Sequence, residues 1–542
     1  MKAYQRILIP FLIVFFFANC QKEKKSPVQD IPSEVFDTIY IGDLINPSVE
    51  ELEIIKNRKI VKITGSLIFN SLGTINDLSY FNSLKEIGGD LNIIAQKELS
   101  KLSGFENLSI ISGNIEISSN ENLLSIDDLR NITSIKNGLT LINNPKLKEY
   151  SFLNHLISFM GDLHIESCNF IEIPGFSSLS EIIGSIHIWN NDLLQSLNGF
   201  SNIKVIGGAL SIKNNDVLKN FTGFDKLENA NGNFIIHSNR DLIDLTGMEK
   251  LNSIQGDLYV YDNKSLINFK GLSGLKEING AFDCRKNLML TDLVGLESVS
   301  IIKNDFTCFQ NNSCHNYNGL NNLELIGGKF EILNDSVLQN FEGLNNLKKI
   351  DRNLYIENAS AFISFEGLSQ LSFINGDFEL KNIPNITDLV GFDKLDSING
   401  HFLITNTGLH STNGVQNLSF IRGDFITSEN EDLSTYYGMN NLNYIGGNLY
   451  NTDYLSKFQH FDHLRYIGGD LLNDYWPNGY SSITDFGMNE LEEIGGDVNY
   501  RIVWESTVYR LKGLENLKSI GGNLALDGRV YTFEAFQSLE EI

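Results

Sequence analysis

Cysteine, proline and basic residues are all scarce in this chain of 542 residues, which contains 5 Cys and 8 Pro. Five cysteines are too few to stabilise a chain of this length as a disulfide scaffold. Lys and Arg number 42 against 67 Asp and Glu, so the formal net charge is −25. A protein that follows a nucleic-acid backbone needs a basic stripe, and this composition therefore argues against a nucleic-acid partner.

Motifs for catalysis and cofactor binding are also missing from the sequence. There is no nucleophile elbow, phosphate-binding loop or dinucleotide fingerprint, and the many Gly-Gly pairs lie at the starts of predicted strands. The nine histidines include no HxxxH pair with metal-binding spacing. We therefore predict no catalytic residue, no metal site and no cofactor.

The N-terminus carries a targeting signal. A short basic start is followed by an apolar run from Ile7 to Phe17, which is too short to span a bilayer, and then by Cys20. This arrangement resembles a bacterial lipoprotein signal peptide. The resemblance implies that residues 1–19 are removed, that Cys20 is lipidated and that residues 20–37 tether the protein to a membrane. The alternative is an ordinary secretory signal with a chance cysteine.

From Gly65 onward the chain repeats one motif about twenty times: a strand of the pattern Ile-x-Gly-x-Leu-x-Ile, an Asn-containing turn and a Leu/Gly-rich return. The Gly before the strand defines position zero of each repeat, and fourteen of the nineteen spacings between these positions are 24 residues. Such a period indicates a solenoid, in which each unit buries its apolar face against its neighbours. Position zero falls at Gly65, Gly89, Gly113, Asn137, Gly161, Gly184, Gly208, Gly232, Gly256, Gly280, Asn304, Gly328, Arg352, Gly376, Gly400, Gly423, Gly447, Gly469, Gly496 and Gly522.

The pattern of each unit predicts short strands joined by corners. In the unit that starts at Gly208, Leu210 and Ile212 alternate with Ser211 and Lys213, which is the period of a strand with one buried face. Stacking these strands in register predicts a parallel sheet that runs along the solenoid. At about 4.8 Å per coil, twenty coils make a rod of roughly 95 Å.

Three columns of residues recur at fixed positions in the repeat, and we interpret all three as structural. Asn at position seven tolerates left-handed backbone and bonds to neighbouring backbone, and Gly at the next corner permits a positive φ or a close approach. Asp after position zero reads as a turn column, with a calcium site or an acid–base pair as the alternatives. The columns are Asn120, Asn144, Asn191, Asn215, Asn239, Asn263, Asn287, Asn311 and Asn430; Gly104, Gly199, Gly223, Gly247, Gly271, Gly295, Gly319, Gly343, Gly367 and Gly391; and Asp90, Asp162, Asp257, Asp377, Asp424, Asp470 and Asp497.

The two ends of the repeat array differ. We predict an N-terminal cap over residues 38–64, made of a strand over 38–44 and a short helix that Ser48 and Glu51 open as a capping box. The C-terminal end shows no comparable cap. The final four residues repeat 491–494 and stop just before the expected Gly. We expect either that the sequence is truncated or that a partner covers the last coil.

Four cysteines follow Cys20. Cys284 and Cys308 occupy the same inward position in adjacent repeats, Cys314 fills a Leu column, and Cys168 lies in the Asn column. We predict that they are buried as small apolar side chains. The alternative is a Cys284–Cys308 disulfide, and metal binding ranks below both.

The repeat resembles the receptor L domain, a relative of leucine-rich repeats. The resemblance implies a right-handed parallel β-helix of about twenty 24-residue coils, and it covers about residues 40–542. It is specific for the architecture and not for a ligand. The chain lacks the disulfide-rich modules and the kinase segment of such receptors, so the resemblance does not imply receptor signalling. The residues that carry it include Leu251-Asn252-Ser253-Ile254-Gln255-Gly256-Asp257-Leu258-Tyr259-Val260, followed by Asn263, Leu266 and Gly271.

Regularity decreases after Gly447. Residues 65–446 form regular repeats, whereas 447–542 contain longer spacings, polar residues at inward positions and many aromatics. Long turns that carry Tyr and Trp on a rigid scaffold are where we expect a ligand to bind. The alternative is that large side chains fill a tapering end. The candidate ligand-binding residues are Tyr475, Trp476, Tyr480, Tyr500, Trp504 and Tyr509.

Together these features predict a non-enzymatic, membrane-anchored lipoprotein, at the bacterial outer membrane or cell surface, that binds or adheres to a glycan or protein ligand. One alternative is a polysaccharide lyase or hydrolase on a β-helix, for which Asp474, Asp485, Arg501 and Arg510 are the charged residues near candidate loops. A second alternative is a structural spacer in the envelope.

Overall fold

A computed structural model describes the chain from residue 38 onward, with short gaps. The described residues are 38–71, 75–173, 175–453, 455, 458–473, 485–501, 507–508, 511–527, 529–530 and 534–542, with the backbone alone at 473, 500–501, 507–508, 527 and 529–530. The predicted signal peptide and tether, residues 1–37, lie outside them.

The main sheet runs the length of the described chain. Each strand pairs in parallel with the strand one repeat later, and the register matches residues that occupy the same repeat position. The first strand belongs to the N-terminal cap, and the other twenty follow the twenty predicted repeats, so the all-β parallel solenoid is confirmed. Its strands are Leu44–Ile45, Leu67–Phe69, Leu91–Ile94, Ile115–Ser118, Leu139–Ile142, Leu163–Glu166, Ile186–Trp189, Leu210–Lys213, Phe234–His237, Leu258–Tyr261, Phe282–Arg285, Phe306–Phe309, Phe330–Leu333, Leu354–Glu357, Phe378–Ile383, Phe402–Thr407, Phe425–Ser428, Leu449–Asn451, Leu471–Asn473, Val498–Arg501 and Leu524–Asp527.

A second, narrower face consists of two-residue strands just before each position zero. It is divided into groups of four, two and fifteen strands. The first two groups are Ile39–Tyr40, Lys62–Ile63, Glu86–Ile87 and Ile110–Ile111, then Ser134–Ile135 and Ser158–Phe159. The third is Glu181–Ile182, Val205–Ile206, Asn229–Ala230, Ser253–Ile254, Glu277–Ile278, Ile301–Ile302, Leu325–Ile326, Lys349–Ile350, Phe373–Ile374, Ser397–Ile398, Phe420–Ile421, Tyr444–Ile445, Tyr466–Ile467, Glu493–Ile494 and Ser519–Ile520. Thr507–Val508 pairs separately with Arg529–Val530, and short 3₁₀ turns occur at Ser79–Phe81, Asp127–Leu129, Ser151–His155 and Asn198–Phe200.

The core is a stack of apolar residues from every coil. In the unit that starts at Gly208, the six apolar residues of the repeat are fully buried, as are their equivalents in the next unit. The six are Leu210, Ile212, Leu218, Phe221, Phe224 and Leu227. Aromatic rings stack along the axis, with 5.2 Å between the centroids of Phe282 and Phe306 and 4.9 Å between those of Phe306 and Phe330. Apolar burial and ring contacts between coils therefore hold the rod together.

The N-terminal cap agrees with the prediction, except that its strand is interrupted. Two short strands, Ile39–Tyr40 and Leu44–Ile45, precede the helix Val49–Asn57. The Ser48 hydroxyl accepts from the backbone N–H of Glu51 at 3.2 Å, and the Glu51 carboxylate accepts from that of Ser48 at 2.7 Å. This capping box fixes the start of the helix.

The Asn column forms a buried ladder. The backbone N–H of Asn191 donates to Oδ1 of Asn215 at 3.1 Å, and Nδ2 of Asn215 donates to the Ile188 carbonyl at 2.9 Å. The column is therefore structural, because each amide satisfies backbone groups of the coils before it. The left-handed residue of the turn is one position earlier than predicted, as at Asn190 and Asn214, with φ of 56° and 52°.

The Asp column also links consecutive coils. Oδ1 of Asp257 accepts from the backbone N–H of Ala281 at 2.7 Å, and Asp90 and Asp424 do the same for their next coils. This bond explains the Gly at position zero, since a Cβ on Gly280 would lie 2.2 Å from Oδ1 of Asp257. Nine of the ten glycines in the second Gly column have positive φ, for example 119° at Gly223, which Gly adopts without strain. Gly199 is the exception and lies in the 3₁₀ turn Asn198–Phe200.

The four described cysteines are free, buried thiols, as predicted. Cys284 and Cys308 lie directly opposite each other on adjacent strands, and the alternative disulfide between them is not formed. Burial raises the pKa of the Cys168 thiol to about 11, and it raises those of Cys284, Cys308 and Cys314 as well. These thiols are therefore protonated and unreactive in the folded protein.

Candidate ligand-binding face

Six consecutive strands of the main sheet, from Leu163–Glu166 to Phe282–Arg285, carry a distinctive set of outward side chains. We call this set the histidine–aromatic face. In-register pairing places the members side by side, and six strands span about 24 Å along the rod. Its members are His164, Glu166, His187, Trp189, Ser211, Lys213, Ile235, His237, Tyr259, Tyr261, Asp283 and Arg285.

Trp189 is the centre of the first half of the face. Its Nε1 donates to the Ser211 hydroxyl at 2.9 Å, and Nζ of Lys213 lies 4.8 Å from the ring centroid. The rings of His164 and His187 approach the indole with centroid distances of 4.7 and 5.1 Å. The indole is thus fixed by side chains of its own strand and of the two neighbouring strands, which lowers the entropy that it would lose on binding a ligand.

Tyr261 plays a similar part in the second half. The ring centroids of Tyr259 and His237 lie 5.5 and 6.0 Å from that of Tyr261, and the Arg285 guanidinium lies 5.7 Å from the same ring. Arg285 forms a two-point ion pair with the nearly buried carboxylate of Asp283. This half therefore offers a fixed tyrosine beside a fixed cation.

Burial controls the protonation of this face. It lowers the pKa of His164, His187 and His237, and it also lowers that of Lys213. The Glu166 carboxylate, whose Oε2 lies 3.0 Å from Nε2 of His164, opposes the effect at His164. The three imidazoles are therefore neutral at neutral pH and act as polar, partly aromatic surface.

A cleft of about 360 Å³ borders the face on the side where the strands end. We call it the charged cleft. One wall consists of the left-handed residues that directly follow the strands, and the other consists of residues eight positions after position zero in four consecutive coils. The first wall contains Asn214, Ser238 and Asp262, and the second contains Asp192, Asp216, Arg240 and Lys264.

The charges of the cleft are partly paired. Nη1 of Arg240 lies 3.2 Å from Asp216, and its Nε lies 3.1 Å from Asp241. The Ser238 hydroxyl donates to Asp262 at 3.3 Å. Within the described residues, Asp192 and Lys264 at the two ends have no ion-pair partner. The cleft therefore presents hydrogen-bond donors and acceptors beside the rings of the face, a combination suited to noncovalent binding.

The C-terminal site predicted from the sequence lies largely outside the described residues. Tyr500 is described only as backbone within the strand Val498–Arg501. The other candidates fall outside: Tyr475, Trp476, Tyr480, Trp504 and Tyr509. The predicted lipidation site at the other end of the chain, Cys20, also lies outside the described residues. Those assignments stay predictions.

Near the C-terminal end, the inward polar residues Thr427 and Asn451 are buried in the core. The Tyr436 hydroxyl lies 2.6 Å from the Thr427 hydroxyl, and both donate to Oδ1 of Asn451 at 3.2 Å.

Of the charged residues considered for catalysis, Asp485 lies 2.9 Å from Nζ of Lys512. Asp474 and Arg510 lie outside the described residues.

The sequence-based prediction does not include His164, His187 or Trp189. His164 and His187 are 23 residues apart, so no short motif joins them, and only the repeat period could have aligned them. No group of three or more His, Cys, Asp or Glu side chains within the described part of the chain is arranged to hold a metal ion. No helix in that part is long and apolar enough to cross a membrane.

One comparison with known proteins supports the architecture over part of the chain. Residues 61–154 match the family model of the receptor L domain, which confirms the predicted resemblance over that region. A search of curated proteins finds no match. Among solved structures, one similar chain comes from the "Crystal structure of TLR13-ssRNA13 complex", with 13% identity and a TM-score of 0.26 over 90% of this chain and 81% of that chain. With so low a TM-score, this likeness supports no inference about either the fold or the function.

Proposed function

We propose that this protein is a non-enzymatic binding protein whose β-solenoid presents the histidine–aromatic face to an extracellular ligand. The observation that carries the proposal is the continuous run of His, Trp, Tyr, Lys and Arg on the outward side of six consecutive strands. A parallel sheet stacked on a solid core is rigid, and a rigid surface loses little entropy on binding.

We further propose that the protein is exported and held to a membrane through lipid on Cys20. The support is the N-terminal sequence, in which a basic start and an apolar run precede Cys20 and a polar stretch. A lipid anchor at one end would hold the rod away from the membrane, so that its long faces reach neighbouring molecules.

A polysaccharide lyase or hydrolase is the alternative enzyme class. A lyase or hydrolase needs charged side chains free to act on a substrate. Asp485 instead pairs with Lys512, and its Oδ1 also accepts from the backbone N–H of Gly487 at 3.1 Å. The Asp column is likewise committed to backbone bonds between coils. These contacts favour binding over catalysis.

The test is a screen of purified protein lacking residues 1–20 against glycan and protein arrays. The double variant Trp189→Ala/Tyr261→Ala removes the two central rings of the face. Tyr355→Ala is the matched control, because Tyr355 faces outward four coils after Tyr261 and its hydroxyl donates to the Glu357 carboxylate at 2.6 Å. We expect ligand signals that disappear in the double variant and persist in the control.

Three other outcomes would contradict the proposal. Failure on both arrays would leave a structural spacer. Signals that survive in the double variant would place the binding site elsewhere, with the C-terminal aromatics as the next candidate. Release of reducing ends or unsaturated products from polysaccharides would establish the enzyme.

A further inference from the structure

We propose that the charged cleft and the adjoining rings bind a neutral saccharide chain that lies along the solenoid axis. This inference rests on the proposed function, because it names the ligand class of the same surface.

The site repeats along the axis. Asp192, Asp216, Arg240 and Lys264 occupy the same position in four consecutive coils, so they follow one another at about 4.8 Å. This step is close to the length of one pyranose unit in an extended chain. A linear saccharide along the axis would therefore meet one set of polar groups per sugar, and four coils would hold about three units.

The two sides of the site match the two surfaces of a sugar. The half-buried rings of Trp189 and Tyr261 supply apolar area for the C–H face of a pyranose. The carboxylates of Asp192 and Asp216 accept from hydroxyl groups, and the amide of Asn214 both donates and accepts. Because Asp192 lies three residues after Trp189 and Asp262 directly follows Tyr261, rings and polar groups lie on the same coils.

The composition of the cleft favours a saccharide over a protein. Every side chain that lines it is polar or charged. The centre of a protein interface is instead depleted in charge and needs an apolar pocket for an anchoring side chain. Ligands that are rich in hydroxyl groups can form hydrogen bonds with closely spaced carboxylates, amides and cations, and they do not need a large apolar pocket.

The charges that line the cleft favour neutral saccharides over acidic ones. Three carboxylates, Asp192, Asp216 and Asp262, face two cations, Arg240 and Lys264. The whole protein has a formal net charge of −25. A sulfated or uronic acid polymer would therefore be repelled at long range and would meet excess carboxylate in the cleft.

The experiment is calorimetric titration of the protein lacking residues 1–20 with cello-, xylo-, manno- and chito-oligosaccharides, from monosaccharide to hexasaccharide. We expect at least one series to bind, with an affinity that rises up to about the trisaccharide and then levels off. Asp216→Asn and Trp189→Ala should each weaken binding by about tenfold or more. Asp393→Asn is the matched control, because it makes the same change at an exposed site several coils away.

Thermal melting of each variant checks that it folds, and Lys264→Ala provides a second cleft variant. Absence of binding by all four series, or equal binding by wild type and Asp216→Asn, would overturn the inference. Binding of heparin alone, lost at high salt, would also overturn it. A protein ligand that depends on Trp189 and Tyr261, with no saccharide bound, would overturn the inference while leaving the proposed function intact.

Discussion

Asp335 occupies the position in the buried ladder that Asn311 fills one coil earlier. Nδ2 of Asn311 donates to the Cys284 carbonyl at 3.0 Å, whereas a carboxylate at the same position has no N–H to donate. Asp335 is fully buried. Burial raises its pKa to about 7, and backbone N–H groups at Val337 and Asn311 lower it only in part.

The substitution Asp335→Asn should therefore stabilise the protein at neutral and higher pH. An unfolded Asp ionises near pH 3.9, so the wild-type protein loses stability as pH rises from about 4 to about 7 and changes little above that. The full loss is at most about 4 kcal/mol. The Asn amide does not ionise, so the substitution removes this loss of stability. Its Nδ2 can also donate the ladder hydrogen bond that a carboxylate cannot make. Thermal melting at pH 5 and pH 8 measures the effect, which should be larger at pH 8.

The reverse change, Asn311→Asp, serves as the control for this prediction. It places a second carboxylate next to the first and should lower the melting temperature at pH 8. If Asp335→Asn melts at the same temperature as wild type at pH 8, ionisation of the buried Asp335 carboxylate does not reduce the stability of the protein.

Glycine should be required for steric reasons at Gly256, one of the glycines at position zero. A Cβ on Gly256 would lie 2.2 Å from Oδ1 of Asn233 and 2.7 Å from its backbone N. We expect Gly256→Ala to cost about 1–3 kcal/mol, the usual range for overpacking. Gly138→Ala is the matched comparison, since its nearest contacts would be 3.2 Å. Denaturant melts should show the larger loss at Gly256, and equal losses would refute the explanation.

Removing one amide from the buried ladder should cost more than removing an exposed one. Asn215→Ala leaves the backbone N–H of Asn191 and the Ile188 carbonyl without their partner. Buried unsatisfied groups cost about 1–3 kcal/mol each. Asn202→Ala removes an exposed amide that donates to the Ser177 carbonyl, and we expect a loss of under about 1 kcal/mol. Similar melting temperatures for the two variants would contradict the structural role of the column.

The histidines of the face should make stability depend on acid pH. Unfolded His titrates near pH 6.5, and burial lowers the pKa of His164, His187 and His237 below that value. The unfolded chain therefore binds protons first on acidification, and stability falls as pH drops below about 6.5. The triple Gln variant should lose less melting temperature between pH 7 and pH 5 than wild type. His315→Gln, at an exposed site, should behave as wild type.

Lipidation of Cys20 is testable in cells. Wild-type protein expressed in a bacterial host should incorporate a labelled fatty acid, and Cys20→Ser should not. Cys168→Ser, which changes a buried thiol of the core, should still incorporate label. Labelled Cys20→Ser protein, or unlabelled wild type, would reject the anchor and leave the ordinary secretory signal.

Much of the architecture could be predicted because a solenoid repeats its contacts. Leu210 and Ile212 predict a buried strand face, Ser48 and Glu51 predict the helix start, and the position of Cys284 predicts a buried thiol. Each of these depends on contacts within one coil or with an identical neighbouring coil. The turn is less predictable: the Asn column indicates left-handed backbone at position seven, whereas the left-handed residue is at position six, as in Asn214.

The candidate site was not predictable in the same way. Local aromatic content predicts a ligand-binding site at Tyr475 and Trp476, because composition can be read directly from the sequence. The grouping of Trp189 with Lys213 depends on which side chains lean across to the next strand and how far each is buried. A period aligns residues, but it does not give their side-chain conformations.

The sequence by itself determined the period, the inward residues and the columns that join one coil to the next, because each follows from local pattern and from repetition. Only the tertiary structure decided which outward residues form a surface. Stacking brings His164 and Trp189 together from different coils and opens a cleft between Asp192 and Lys264, and burial in that surface keeps the imidazoles neutral. These properties arise from packing between coils, so they exist only in the folded rod.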